Sequence, residues 1–90
     1  MKPAGERETI FDRDFLADLV FWVQTDRKVA LRLIELVETT RHDPFRGIGK
    51  PEPLKHTLAG CWARRINQAH RMVYSVTDTR IDFLQARYRY

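Results

Sequence analysis

The hydrophobic period of the chain changes near its middle, and this change restricts the folds that the sequence can adopt. In the first half, apolar residues recur at intervals of three and four, the spacing of amphipathic helices. From Leu54 onward they alternate with polar residues, as they do in strands. Helices followed by strands predict one α+β domain over residues 1–90, with two N-terminal helices packed on a twisted antiparallel sheet of four to five strands.

The first predicted helix follows a short strand at residues 9–11, and residues 1–8, "MKPAGERE", are expected to be disordered. Asp12 and Asp14 favour the helix start through capping and through the helix dipole. The apolar stripe of this helix, expected to be core, consists of Phe11, Phe15, Leu16, Leu19, Val20 and Val23.

The second predicted helix forms an αα-hairpin with the first. The dipeptide "TD" at residues 25–26 breaks the apolar pattern and supplies an N-cap. The helix must end before Pro44, because proline restricts the residue that precedes it. Its core residues are Val29, Leu33, Leu36 and Val37.

A loop and four strands are predicted for the second half. Residues 44–53, "PFRGIGKPEP", contain two glycines and three prolines, which exclude regular structure. The predicted strands are residues 54–59, 61–66, 70–76 and 80–88, joined by turns at Gly60, 67–69 and 77–79.

The hairpin around residues 67–69 has a register that the side-chain pattern itself supports. A three-residue turn pairs Trp62 with Tyr74, Arg64 with Met72, Arg65 with Arg71 and Ile66 with His70. Trp62, Ile66, Met72 and Tyr74 then share a face that we expect to pack on the helices. Cys61, Ala63, Arg65, Arg71, Val73 and Ser75 share the other. A slip of one residue would mix the two faces.

Positive charge is concentrated after residue 43. Residues 44–90 contain nine Lys/Arg against three Asp/Glu, a net charge of +6, whereas residues 1–43 have a net charge of −2. The opposed Arg65 and Arg71 should repel unless they share an anion such as phosphate, so truncating either should leave the protein no less stable. Arginines that each find a carboxylate, or that extend into water, explain the same pattern.

Two further segments suit a nucleic-acid site. The C-terminal "RYRY", residues 87–90, interleaves arginines with aromatics for phosphate contact and base stacking, or is a frayed basic tail. Glu52 lies between two prolines ahead of the basic strands, where it can take a proton from a ribose 2′-OH. The activated oxygen would attack the adjacent phosphate while arginines stabilise the developing charge. A stiff turn with an exposed acid is the alternative.

Composition excludes several other classes. One cysteine rules out an internal disulfide, and the three histidines lack the i, i+4 spacing of a metal face, so no metal or cofactor is expected. No apolar run approaches the roughly 20 residues of a membrane span, and the start lacks a signal-peptide core, which favours a cytoplasmic protein.

Several motifs together resemble the YoeB/Txe toxins of the RelE superfamily, over residues 9–90. They are "TDRK", "DPFRGIGKPEPLKH", "RRI", "HRMVY" and the terminal "RYRY". The resemblance implies a RelE-like, microbial-RNase-like fold and a type II toxin that is a metal-independent, ribosome-dependent mRNA endonuclease. It also implies partners: a YefM/Phd-type antitoxin, the 70S ribosome with mRNA and 16S rRNA, a second toxin copy, and operator DNA only through the antitoxin complex.

The resemblance also implies roles for single residues. Glu52 takes the position of the general base and Arg71 that of the transition-state arginine, while Lys55 and Arg65 match supporting phosphate contacts and Tyr90 the tyrosine that orients RNA. The full expected RNA-binding set is Lys50, Lys55, Arg65, Arg71, Arg87 and Tyr90. Arg89 stands where the family has a histidine that acts as general acid; arginine is a poor proton donor, so reduced activity is expected.

Two alternatives remain beside the nuclease. A catalytically weakened relative could occupy the ribosome or the antitoxin without efficient cleavage, as Arg89 suggests. A DNA-binding protein using the basic half is disfavoured, because neither helix is basic enough to fill a major groove.

Overall fold

The protein is an α+β structure of two helices and one sheet, as predicted. The computed structural model describes residues 7–55, 58 and 60–89, with the backbone alone at Arg89. The elements are β1 (Glu8–Phe11), α1 (Arg13–Thr25), α2 (Arg27–His42), β2 (Glu52–Pro53), β3 (Cys61–Arg65), β4 (His70–Val76) and β5 (Arg80–Arg89). The five strands have the order β1-β5-β4-β3-β2, and the core lies between the sheet and the helices.

The sheet is mixed, because β1 runs parallel to β5 while all other pairs are antiparallel. Thr9 lies opposite Ile81, and the Asp12 N–H donates to Phe83 O at 2.9 Å where the chain turns into α1. The short predicted strand is confirmed. It begins at Glu8, and Arg7 Nε donates to Thr77 O at 2.7 Å, so the expectation of disorder is wrong for these two residues; residues 1–6 lie outside the described part of the chain.

The helix boundaries follow the predicted caps. The Asp12 carboxylate accepts a hydrogen bond from the Asp14 N–H, and the Asp26 carboxylate accepts one from the Val29 N–H, each at 3.4 Å. α2 ends at His42, two residues before Pro44. The helical hairpin is therefore encoded by local signals.

The predicted core stripe is right for α2 and right only in part for α1. Leu16, Val20 and Val23 are 48%, 54% and 49% exposed, and Phe11 belongs to β1. The buried face of α1 carries Phe15 and Leu19, as predicted, together with Trp22, which the prediction left out. α1 is apolar on two sides, and the indole N–H of Trp22, which donates to Ala86 O at 2.9 Å, favours the side that faces β5. In α2, Leu33, Leu36 and Val37 are buried and Val29 is partly buried.

Glu52 and Pro53 of the "PEP" segment form an edge strand, which corrects two predictions. Glu52 lies opposite Ala63 and Pro53 opposite Trp62, although a loop was expected here. The predicted strand at residues 54–59 is absent at 54, 55 and 58, while 56, 57 and 59 lie outside the described residues. Prolines are compatible with β2 because one side of an edge strand has no neighbour that needs their missing N–H.

The β3–β4 hairpin has the predicted register. Trp62 lies opposite Tyr74, Arg64 opposite Met72 and Arg65 opposite Arg71, and the Ile66 N–H donates to His70 O at 2.9 Å. Over the described residues, neither helix is long and apolar enough to cross a membrane.

Candidate active site

The face of the sheet turned away from the helices, called the outer face below, carries two adjacent rows of side chains. Ala63 lies between Glu52 on β2 and Val73 on β4, forming the first row. Arg71 lies between Arg65 on β3 and Tyr88 on β5, forming the second. The two rows bring a carboxylate, two guanidinium groups and a phenol to one surface.

Glu52 and Arg71 form an ion pair that crosses β3. Glu52 Oε1 is 3.0 Å from Arg71 Nη1, and the two side chains are 48% and 18% exposed. Ala63 lies on β3, between the strands that carry Glu52 and Arg71, and it is 1% exposed. Its side chain is only a methyl group, so the two longer side chains can meet above it. Arg71 therefore has a carboxylate partner, as one of the alternative interpretations of the arginine pair proposed. The expectation that its truncation costs no stability assumed that it has none, and this premise is wrong.

Three further cations lie close in sequence or register to this pair. The exposed Arg65 is tied to the preceding loop, because its N–H donates to Gly49 O at 2.6 Å. Lys50 and Lys55 are exposed on either side of β2, and Lys50 has a left-handed backbone with φ of 51°. The surface around the Glu52–Arg71 pair is consequently basic.

Arg64 holds the loop that leads to Glu52, a role that sequence reasoning missed. Its side chain is fully buried, and its guanidinium donates to Asp43 O at 2.5 Å, Arg46 O at 3.0 Å and Ile48 O at 3.0 Å. Buried arginines require partners of this kind. The signal was available, because the predicted register placed Arg64 opposite Met72 on the helix-facing side.

Tyr74 completes this anchor from the neighbouring strand. Its hydroxyl accepts from Arg64 Nε at 3.2 Å and donates to Pro44 O at 2.7 Å. Burial raises the pKa of Tyr74, and the charge and hydrogen bond of Arg64 lower it by less. The hydroxyl therefore keeps the proton that it donates to the loop. Burial also raises the pKa of the Cys61 thiol, which fits a structural role for Cys61 on β3.

Two glycines let the loop approach α2 closely. Gly47 and Gly49 have φ of 124° and 82°. A Cβ at Gly47 would lie 2.8 Å from Thr39 Cγ2, and one at Gly49 would lie 2.8 Å from Leu36 Cδ2. Only glycine fits this backbone and this space without strain. The loop is thus pressed between Arg64 and α2, which fixes the start of β2.

The C-terminal strand brings a different residue to the site from the one expected. Tyr88, not selected from the sequence, lies opposite Arg71 on the outer face. Arg87 lies on the helix side, with Cζ 3.6 Å from the centroid of the Phe21 ring, so the structure does not bring it to the Glu52–Arg71 pair. Arg89 pairs with His70 through its backbone; its side chain and Tyr90 lie outside the described residues.

This arrangement suits acid–base chemistry on a phosphodiester. A carboxylate can accept the proton of an attacking hydroxyl group, and the guanidinium beside it can bind the oxygens of the phosphate that the hydroxyl attacks. Among the described residues, no group of three His, Cys, Asp or Glu side chains could hold a metal ion.

Comparison with known proteins identifies the family. The family model described as "YoeB-like toxin of bacterial type II toxin-antitoxin system" matches residues 11–90. The chain belongs to the YoeB toxin family. The resemblance drawn from the sequence motifs is confirmed, and the protein is a toxin of a type II toxin–antitoxin system.

Similar proteins cover nearly the whole chain. Toxin YoeB of Mycobacterium bovis is 48% identical over 84 residues, which are 93% of this chain and 99% of that protein. The solved YoeB/ParE toxin from Agrobacterium tumefaciens has a TM-score of 0.84 at 35% identity, over 92% of this chain and 99% of that one. The RelE-like fold of this YoeB-family toxin is thereby confirmed.

YoeB from Staphylococcus aureus has been solved in two assemblies. One is a dimer, with a TM-score of 0.83 at 35% identity over 94% of this chain and 99% of that one. The other is a YoeB–YefM complex, with a TM-score of 0.79 at 35% identity over 93% of this chain and 98% of that one.

Proposed function

We propose that this YoeB-family toxin is a ribosome-dependent mRNA endonuclease that inhibits translation by cutting mRNA on the 70S ribosome, beside 16S rRNA. The observation that carries the proposal is the contact between Glu52 and Arg71 on an exposed basic face. A carboxylate paired with a guanidinium supplies the two functions that RNA transesterification needs, a proton acceptor and a phosphate-binding cation.

In the proposed reaction, Glu52 accepts the proton of the ribose 2′-OH as that oxygen attacks the adjacent phosphorus. The bond from phosphorus to the 5′-oxygen breaks, leaving a 2′,3′-cyclic phosphate on one fragment and a 5′-OH on the other. Arg71 stabilises the charge on the phosphoryl oxygens, with Arg65, Lys55 and Lys50 as supporting phosphate contacts. The nucleophile belongs to the substrate and the charge-stabilising groups to the protein, so the scheme uses no metal ion.

The leaving 5′-oxygen must gain a proton, and we propose that this step is slow because Arg89 is a poor proton donor. Arginine keeps its proton at neutral pH, so Arg89 contributes charge while water supplies the proton. Tyr90 is the proposed residue that orients the RNA, and Tyr88 joins it on the evidence of its register with Arg71. Arg87, packed on Phe21, is left outside the cleavage centre.

We also propose the partners of this toxin by family likeness. The YoeB–YefM complex supports neutralisation by a YefM/Phd-type antitoxin, and the YoeB dimer supports a homodimer. Operator DNA would be contacted through the antitoxin complex. Action on translating ribosomes places the toxin in the cytoplasm.

The test is mRNA cleavage by purified toxin in a reconstituted translation system. We expect new mRNA 5′ ends that depend on 70S ribosomes, and upstream fragments that end in a 2′,3′-cyclic phosphate. The Glu52→Gln variant serves as the control. Inhibited translation with intact mRNA would reject the nuclease and support the alternative, a weakened relative that binds the ribosome without cutting.

A further inference from the structure

Strand β5 changes its side-chain alternation where it passes α1. Gln85 pairs with Val73, and Tyr88, three residues further on, pairs with Arg71, which is only two residues from Val73 along β4. Between them, Ala86 is buried in the core and the Arg87 guanidinium lies over Phe21 of α1. β5 therefore contains one extra residue between Gln85 and Tyr88, a β-bulge, and a second between Gln85 and Phe83, which pairs with Tyr74.

Two side chains of α1 bind the backbone of this bulge. The Ala86 N–H donates to Asp18 Oδ2 at 2.8 Å. The Trp22 indole N–H donates to Ala86 O at 2.9 Å in a buried position. Asp18 and Trp22 are four residues apart and therefore share one face of the helix. The helix thus supplies partners for both polar groups of Ala86, which a bulge removes from the regular ladder.

The bulge decides which residues beyond it face the site. If the extra residue between Phe83 and Gln85 is kept, loss of the one at Ala86 would turn Arg87 to the outer face and Tyr88 toward the helices. With both extra residues present, Arg87 lies on the helix side, Tyr88 lies in the row of Arg71, and the Arg89 backbone pairs with His70. Trp22 also packs against the His70 ring, with centroids 5.0 Å apart, so α1 contacts both strands at this point.

We infer that Asp18 and Trp22 are positioning residues for the cleavage centre. Neither lies on the outer face, but by holding Ala86 they set the backbone register of residues 87–89 and the facing of Arg87 and Tyr88. As a statement about activity, this rests on the proposed function, because it assumes that the C-terminal residues take part in RNA cleavage.

The activity test compares Asp18→Ala, Asp18→Asn and Trp22→Phe with the control Asp14→Ala. Asp14 lines the same surface cleft as Asp18, but the bonds to Ala86 come from Asp18 and Trp22. We expect Asp18→Ala and Trp22→Phe to lower the single-turnover cleavage rate at saturating ribosomes by about 10- to 100-fold. The ribosome concentration at half-maximal rate should stay within about twofold of wild type, since loss of positioning affects the reacting complex more than its formation.

Rescue separates positioning from a structural role. The Asn side chain still accepts a hydrogen bond through its amide oxygen, so Asp18→Asn should recover most of the rate that Asp18→Ala loses, and Asp14→Ala should keep it. Wild-type rates in both Asp18→Ala and Trp22→Phe, or no recovery in Asp18→Asn, would overturn the inference. If Asp18→Ala does not fold, Trp22→Phe decides by the same criterion.

Amide hydrogen exchange tests the inference without any activity. In Asp18→Ala or Trp22→Phe, we expect exchange at residues 86–89 to accelerate by about 10-fold or more while Met72 and Val73 keep wild-type protection, because opening would be local. Unchanged protection at residues 86–89 would show that Asp18 and Trp22 do not hold Ala86 in place, and would refute the inference. If the wild-type toxin cuts no mRNA, the proposed function is refuted instead. Hydrogen exchange at residues 86–89 then still tests whether Asp18 and Trp22 hold Ala86 in place.

Discussion

The Glu52 carboxylate lies 3.0 Å from the Arg71 guanidinium, across the intervening strand β3. In the proposed reaction these are the base and the main phosphate ligand, so each holds the other in place before RNA binds. A phosphate that binds Arg71 competes for the same guanidinium. Binding of the substrate would therefore release the carboxylate next to the 2′-OH that it must deprotonate.

Replacing Glu52 with Gln should reduce mRNA cleavage by about 10²- to 10⁴-fold, the usual cost of losing a positioned base. The free energy of unfolding should change by less than about 1 kcal/mol, because the side chain is half exposed. Cleavage rates and thermal melting measure the two effects. The matched control is Glu38→Gln, which removes the carboxylate of an exposed ion pair with Arg41. Unchanged cleavage in a folded Glu52→Gln variant would eliminate Glu52 as the base.

Truncating the two outer-face arginines should separate activity from stability. We expect Arg71→Ala and Arg65→Ala both to slow cleavage. Arg71→Ala should also reduce the free energy of unfolding by about 1–2 kcal/mol, because its largely buried side chain pairs with Glu52. Arg65 is exposed, so Arg65→Ala should cost less. Urea unfolding of both variants checks this order, and the reverse order would contradict the described packing.

Arg64→Met should lower the free energy of unfolding by about 2 kcal/mol or more. The substitution keeps most of the apolar stem but removes the donors to three loop carbonyls, which are then left without that partner. Cleavage should fall as well, because the loop leads directly to β2. Arg46→Met is the control, since the Arg46 side chain is exposed on the same loop. Equal melting temperatures for the two variants would count against an anchoring role for Arg64.

Stability should decline at high pH partly through Tyr74. Its pKa in the folded state is raised above the ordinary value of 10.0, so folding favours the protonated phenol. This contribution is fully present below about pH 10 and is lost as the pH rises through the folded-state pKa. Urea unfolding between pH 7 and pH 11 should show the decline. Tyr74→Phe should be less stable at neutral pH and show a smaller decline; an equal slope in both proteins would contradict the assignment.

Arg89→His should raise ribosome-dependent cleavage by about 10-fold or more, since imidazole titrates near neutrality and can protonate the leaving oxygen. Growth inhibition in cells that lack the antitoxin should increase in parallel. The opposing view is that the fixed charge of Arg89 stabilises the departing oxygen electrostatically. Cleavage rates of both proteins from pH 6 to pH 9 decide between them, and a slower histidine variant at every pH would refute the gain.

The features that could be predicted from the sequence are those encoded by near neighbours. Asp12, Asp26 and Pro44 set the helix ends through contacts within four residues. The β3–β4 register followed from a tight turn and from two faces that cannot be exchanged. That register already implied that Arg65 and Arg71 lie side by side on the outer face, where they form part of the candidate site.

The rest required distant contacts. The core face of α1 includes Trp22, whose indole N–H bonds to Ala86 64 positions away, and it leaves Leu16, Val20 and Val23 of the predicted stripe exposed. The two extra residues of β5 between Phe83 and Tyr88 depend on pairing with β4 and on the bonds from Asp18 and Trp22, and no local pattern signals them. The pairing of "PEP" with β3 likewise depends on a strand that follows it, so its prolines suggested only a loop.

Glu52 shows where the division lies. The sequence by itself determined that a carboxylate is held between two prolines ahead of a basic sheet, because proline fixes its own backbone and restricts its neighbour. Only the tertiary structure decided that this carboxylate meets Arg71, because the contact needs β2 at the sheet edge, an alanine between the strands and a loop anchored by Arg64. Local geometry is a property of adjacent residues, whereas a partner across the sheet is fixed only when the whole chain packs.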